Sequence, residues 1–192
     1  MVIAPATMPL TPRQRELFGA LLRDFEAEGF EKFTIESATK RYRCSKSTIY
    51  GIGSTRDEII SRVLVSYFKE LARRTTPQLN KVSSYRAALE DYFTAITVAL
   101  SPASPQFMFD LAHEPVARKI YDLNTQKAYQ IISDLLERGV AAGEFSVESI
   151  PFASRLIQRS LEDIQQGVYV DTLPTTEAYH ALGQIILNGL KL

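Results

Sequence analysis

Nearly every apolar stretch in this chain repeats at the spacing of a helical turn, and strand-like alternation is hard to find. That leaves helix packed on helix as the way to build a core. Leu17, Phe18, Leu21, Leu22 and Phe25 mark a first helix, with Gly29 at its C-terminal stop. Thr34 can cap a short second helix to about Arg41, Tyr42-Arg43-Cys44 has room only for a turn, and Ser45 caps a third short helix ending near Gly51. Ser54 and Asp57 suit a variant capping box that opens a fourth helix. Its stripe is Ile59, Ile60, Val63, Leu64, Tyr67, Phe68 and Leu71, and Thr76-Pro77 closes it, because the residue before proline is pushed out of helical dihedrals.

Five more helices follow by the same spacing: about Ser84 to Leu100, Gln106 to Ala112, Pro115 to Ala142, Ile150 to Gly167 and Thr175 to Leu190. Ser101-Pro102-Ala103-Ser104-Pro105 is a loop by composition. The expected fold class is all-α, with about nine helices: an N-terminal three-helix head and a larger C-terminal helical body. The expected division is a flexible arm over 1–12, a head over 13–54 and a body over 55–192.

With 45% apolar and 23% charged residues in a chain of 192, the composition is that of a globular protein able to bury a core without staples. A single cysteine, Cys44, allows no internal disulfide, and it reads as a small buried apolar residue in the turn. No apolar run approaches the ~18 residues that span a bilayer, and Met1 to Pro12 lacks the pattern of a signal peptide. The expected location is cytoplasmic, with no membrane partner.

The net charge is zero, yet the distribution is uneven: residues 1–75 sum to +4 and residues 76–192 to −4. The excess concentrates in residues 37–56, which carry Lys40, Arg41, Arg43, Lys46 and Arg56 and no acid. At the centre lies Ser45-Lys46-Ser47-Thr48-Ile49-Tyr50, a helical run of small donors, one cation and a tyrosine. Phosphates reward clustered cations, and base edges reward short hydrogen-bonding side chains, so double-stranded DNA is the partner this pattern fits. Two short helices joined by a tight turn are the parts of a helix-turn-helix, whose second helix enters the major groove.

The stretch from Arg15 to Ile60 resembles the DNA-binding domain of the TetR family of bacterial transcriptional regulators. The matching frame is Leu17-Phe18, Phe25, Gly29-Phe30, Phe33-Thr34-Ile35, then Ser45-Lys46-Ser47-Thr48-Ile49-Tyr50, then Ser54-Thr55-Arg56-Asp57-Glu58-Ile59-Ile60. Arg138-Gly139-Val140-Ala141-Ala142-Gly143-Glu144-Phe145 is similar to the end of that family's long seventh helix. The DNA contacts are expected at Thr34, Arg43, Ser45, Lys46, Ser47, Thr48, Tyr50 and Arg56. Departures from the family pattern are Arg43 in place of the turn glycine, Thr39 and Tyr42 in place of alanine, Cys44 in place of valine, Ile52 in place of histidine, Gly53 in place of phenylalanine and Arg56 in place of lysine.

The resemblance also implies a small, largely apolar effector bound in the body, and Phe107, Phe109, His113 and Tyr121 are the candidates to line its pocket. The wide apolar arcs of the last two helices fit either a central place in the body or pairing with a second chain; the resemblance implies the latter, a homodimer through a four-helix bundle, with Phe152, Leu156, Leu161, Leu182, Ile186 and Leu190 as candidate contacts. The function implied is a ligand-responsive regulator, most readily a repressor released from a palindromic operator; activator or repressor stays open. Two other classes are a helical interaction module with a basic face and a helical enzyme. His113-Glu114 has no clustered second ligand, so no metal and no cofactor is expected, and no convergent catalytic set can be assembled.

Overall fold

A computed structural model describes residues 10–76 and 82–190. All regular structure among them is helical: α1 (Pro12–Glu28), α2 (Ile35–Arg41), α3 (Lys46–Tyr50), α4 (Arg56–Thr75), α5 (Tyr85–Leu100), α6 (Pro105–His113), α7 (Pro115–Ala141), α8 (Ile150–Gln165) and α9 (Thr175–Gly189). Most of the arm expected over 1–12, and Pro77 of the expected stop after α4, lie outside the described residues.

Local chemistry explains most of the boundaries. Thr11 and Gln14 form a reciprocal capping box at α1, and Thr34 and Ser37 form one at α2. Ser45, Ser84 and Ser104 each accept a hydrogen bond from the backbone N–H three residues on, opening α3, α5 and α6. The start of α4 differs from the Ser54–Asp57 box expected above. Thr55 is the cap, accepting from the Glu58 N–H, and the Glu58 carboxylate reaches back to the Ser54 N–H at 2.7 Å. Glu58 is one methylene longer than Asp57 and can span that distance, which moves the cap one residue on.

Helices α1, α2 and α3 pack around Leu17, Leu21, Phe25, Phe30, Ala38, Ile49 and Ile52, all buried. The apolar core then runs on without a break. Phe30 meets Phe107 of α6 edge-on with ring centroids 6.0 Å apart, and Phe107 meets Tyr67 of α4 at 5.0 Å. Burying rings of this size contributes roughly 2–3 kcal/mol each. Helix α4 packs on α1 at one end and on α5 and α7 along its length, while α8 packs on α7 and α9, and α9 packs along α5.

Between α3 and α4 the chain has no room to spare. A Cβ on Gly53 would stand 2.9 Å from the Ile59 backbone nitrogen, so only glycine fits. Ile52 is fully buried, and its carbonyl accepts from the Arg62 guanidinium. Ile52 therefore supplies the apolar plug at the place where Gly53 brings none, and the joint is tight.

Candidate functional site

The head presents α3 at its surface by a short chain of causes. Ile49 is the buried residue of α3 and fixes which face turns inward. Ser45, Lys46, Ser47 and Tyr50 then face solvent, Tyr50 at 47% exposure, and Thr48 is half-buried. The turn before α3 holds Arg43 at φ 47°, the left-handed region, which costs a non-glycine residue on the order of 1 kcal/mol. It closes through the Tyr42 N–H on the Ala38 carbonyl and the Cys44 N–H on the Thr39 carbonyl at 3.2 Å. Tyr42 occupies the space an alanine would leave, and its hydroxyl donates to Asp24 of α1. Burial, and then that bond, push the Tyr42 phenol well above its ordinary pKa. Thr39 turns its hydroxyl onto the Glu36 carbonyl at 2.7 Å.

The five cations of the 37–56 run separate into two groups. Lys40 pairs with Glu36, and Arg41 makes a two-pronged bond to Glu28 at 2.8 and 2.9 Å while also meeting Asp24. The hydrogen bonds from Arg41 hold the Glu28 carboxyl below its ordinary pKa. Arg56 turns inward: Nε donates to the Phe33 carbonyl at 2.8 Å, and Nη2 donates to the carbonyls of Phe30 and Glu31 at 3.1 and 2.7 Å. Among the described residues, Arg43 and Lys46 have no ion-pair partner. They flank a knot of hydroxyls in which Ser45 Oγ lies 2.8 Å from Ser47 Oγ and 2.9 Å from Thr48 Oγ1. The surface is thus two free cations, three hydroxyls and a phenol on one exposed helix end, with Thr34 exposed at the start of α2. Such a set can bond phosphate oxygens and base edges together.

Arg56 belongs to a junction that the sequence reading did not find. The loop 29–33, between α1 and α2, is gripped from two sides. Asp110 of α6, 1% exposed, accepts from the Phe30 and Glu31 N–H groups at 2.6 and 2.9 Å through Oδ2, and from Gln106 Nε2 at 2.6 Å through Oδ1. Arg56 takes the carbonyls of the same loop and lies 3.7 Å from Glu114. Gly29, at φ 81°, lets the carboxylate in: a Cβ there would stand 2.5 Å from Asp110 Oδ2. The available signal was a lone acid inside the apolar run Phe107-Met108-Phe109-Asp110-Leu111.

The four residues expected to line a body pocket are not brought together. Phe107 is fully buried in the junction between Phe30 and Tyr67. His113 is exposed and stacks on Phe109, centroids 4.0 Å apart, with Nδ1 2.8 Å from the Phe109 carbonyl oxygen. Tyr121 lines a cavity of about 130 Å³ among Phe68, Leu71, Tyr92, Ile96 and Gln165, and its hydroxyl donates to Gln165 Oε1 at 2.7 Å. Phe109 lines a separate open cleft of about 520 Å³ between α6 and the α8–α9 connection, where Gln165 appears again. Among the described residues no group of three or more His, Cys, Asp or Glu could hold a metal ion, and no helix is long and apolar enough to cross a membrane.

On α8 and α9 the six candidate contacts divide. Phe152 and Leu156 are exposed, Leu182 and Ile186 are half-buried, and Leu161 and Leu190 face the core. Ile185, at 70% exposure, adds to the outward side and was not among the candidates.

No family model and no curated protein matches the sequence. Solved structures match over nearly its whole length. A TetR-family transcriptional regulator from Agrobacterium tumefaciens is similar with a TM-score of 0.76 at 11% identity, covering 94% of this chain and 98% of that one. A transcriptional regulator from Cytophaga hutchinsonii gives 0.72 at 14%, covering 95% and 100%. A TetR-family regulator from Thermus thermophilus gives 0.69 at 18%, covering 92% and 99%. The chain has the fold of these regulators, from the head through the whole helical body.

Proposed function

We propose that the chain is a DNA-binding transcriptional regulator whose head, residues 13–54, reads double-stranded DNA through α3 and whose body, residues 55–192, binds a small effector. The observation that carries the reading is the exposed end of α3. Among the described residues, Arg43 and Lys46 are the two cations of the basic run left without an internal partner, and they border Ser45, Ser47, Thr48 and Tyr50. A hydrated cation left unpaired beside a row of hydroxyls is what a phosphate backbone and a groove edge engage. Thr34, exposed at the start of α2, is assigned a further phosphate contact in this reading. Arg56 is assigned the loop 29–33 in place of phosphate.

A second copy of the chain completes the reading. Phe152, Leu156 and Ile185 on α8 and α9 are 69%, 56% and 70% exposed, an outward apolar face that an isologous four-helix contact would cover. Two heads would then meet half-sites about one helical turn apart, ~34–36 Å, on a palindromic operator. The body carries the effector site, and an effector that favours another head spacing releases the operator, which makes the protein a cytoplasmic repressor. A structural neighbour from Saccharomonospora viridis was solved in complex with choline, which supports a small-molecule site in this fold.

Selection of bound duplexes from a random pool by the full chain tests the reading. A palindromic consensus is expected, with Lys46→Ala and Tyr50→Phe binding it more weakly while remaining folded dimers. Recovery of no consensus would remove the assignment.

A further inference from the structure

The exposed face of α3 stands on a very short helix, five residues with Ile49 alone buried. A helix this short does not hold its own axis, so its direction is set by what touches it. The first turn of α1 touches it from both sides. Ahead of α3, Arg13 Nη2 donates to the Tyr42 carbonyl at 3.3 Å, at the peptide that leads into Arg43. Behind α3, the side chain of Gln14 lies on Gly51, the C-cap. Two successive residues of α1 thus bracket α3.

The contact at Gly51 is the closer one. A Cβ there would stand 1.7 Å from Gln14 Nε2 and 2.6 Å from Gln14 Cδ. Gly51 has φ −69° and ψ −16°, helical values that any residue adopts, so its backbone does not require glycine. Space does: the Gln14 amide occupies the volume of the missing side chain. That amide is also tied down at its other atom. Gln14 Oε1 accepts from the Thr11 N–H at 2.9 Å, the Gln14 N–H donates to Thr11 Oγ1 at 3.2 Å, and the two bonds close the cap of α1. One side chain therefore ends α1 and seats α3. Helix α1 is itself fixed in the core by Leu17, Leu21 and Phe25, so Gln14 carries a fixed position to the end of α3.

We propose that Gln14 is a positioning residue for sequence reading: seated on Gly51, it sets where the Ser45–Tyr50 face of α3 stands in the groove, while Arg13 holds the turn on the other side. This rests on the reading of α3 as the DNA-reading helix and adds what fixes its place. A residue of this kind acts on discrimination. Base edges reward side chains held within about 0.5 Å, whereas attraction to phosphates tolerates a shifted helix.

Gln14→Ala, Gly51→Ala and the double variant test it, each titrated at fixed salt with the selected duplex and with a random duplex. Each single variant is expected to bind the selected duplex about threefold to tenfold more weakly, a loss on the scale of one mismatched base pair. Binding of the random duplex and the salt slope are expected to stay unchanged, because neither substitution removes a charge. The double variant is expected to bind like Gln14→Ala, because the added methyl then enters vacated space and the two effects do not add. Alanine suits helical dihedrals better than glycine, so Gly51→Ala stays folded and decides the matter even where loss of the α1 cap unfolds Gln14→Ala. Wild-type affinity in both single variants, an equal loss on both duplexes, or losses that add in the double variant would each overturn the proposal and leave the DNA reading standing. If the wild type prefers no duplex over the random one, the DNA reading falls and this proposal falls with it.

Discussion

The head and the body leave polar groups unpaired in opposite places. In the head they are charges in water, Arg43 and Lys46, while the buried polar groups have partners: Tyr42 on Asp24, and the loop N–H groups on Asp110. In the body, among the described residues, they are hydroxyls out of water, such as Tyr67 and Ser154. A hydrated cation waits for its ligand at little cost, whereas a dry hydroxyl without a partner costs roughly 1–3 kcal/mol. The two arrangements suit two kinds of ligand. A polyanion can be recognised at an open surface, because releasing its counterions favours binding even in water. A neutral molecule has only shape, apolar area and a hydrogen bond to offer, and a hydrogen bond discriminates only where water does not compete.

The largest effect is expected where the two regions meet. Asp110→Ala removes the acceptor for two backbone N–H groups in a site 1% exposed. Loss of about 3 kcal/mol in urea unfolding is expected. A loss below about 1 kcal/mol would mean that the loop finds other acceptors and that the head is not held by this carboxylate. A sharper test uses one chemical change in both regions. Tyr42→Phe should destabilise by about 1–2 kcal/mol, because the half-buried Asp24 loses one of its two donors and keeps only Arg41. Tyr67→Phe should leave stability unchanged or raise it by up to about 1 kcal/mol, because it deletes a buried hydroxyl with no partner. The same sign in both variants would break the contrast.

The next effect lies in the turn. Arg43 holds φ 47° with a side chain where glycine would be relaxed. Arg43→Gly should therefore stabilise the free protein by up to about 1 kcal/mol. If Arg43 meets a phosphate, the same variant should bind duplex DNA more weakly and lower the log–log salt slope by about 0.9. Gain in stability without loss of slope would make Arg43 a tolerated oddity of the turn and leave Lys46, among the described residues, as the cation beside the hydroxyls of α3.

The head was more legible in the sequence than the body, for a reason of chain distance. Ser45 to Tyr50 lie in one short helix, so their types and spacing show directly what the surface offers. Arg56 was expected at DNA because its charge is visible in the sequence, whereas its partners in the fold, three carbonyls of the loop 29–33, are not. The body cleft is assembled from α5, α6, α8 and α9, and Gln106, Gln165 and Tyr179 stand far apart in the chain. Aromatic character alone singled out Phe107 and Phe109. They sit about 200° apart around one helix, so one fills the junction and the other faces the cleft. The helices themselves were legible because spacing and caps agree, and the one shifted cap arose where Ser54–Asp57 and Thr55–Glu58 offered overlapping patterns.

The smallest effect expected concerns a carboxylate that follows the head's rule inside the body. Glu144, just past α7, accepts from the Ser84 hydroxyl at 2.7 Å and from the Arg86 N–H at 3.0 Å, and so holds the start of α5. The backbone bond from Arg86, and then the Ser84 hydroxyl, hold its carboxyl below the ordinary value. A group depressed in the folded state contributes stability above its unfolded pKa, near 4.5, and that contribution is lost as pH falls through the folded value. Glu144→Gln keeps an acceptor but removes the charge. The variant should be less stable than the wild type at neutral pH, and the gap should close as pH falls below the unfolded value. Denaturant midpoints measured across that range check it. A gap that stays constant with pH would mean that Glu144 acts by shape alone.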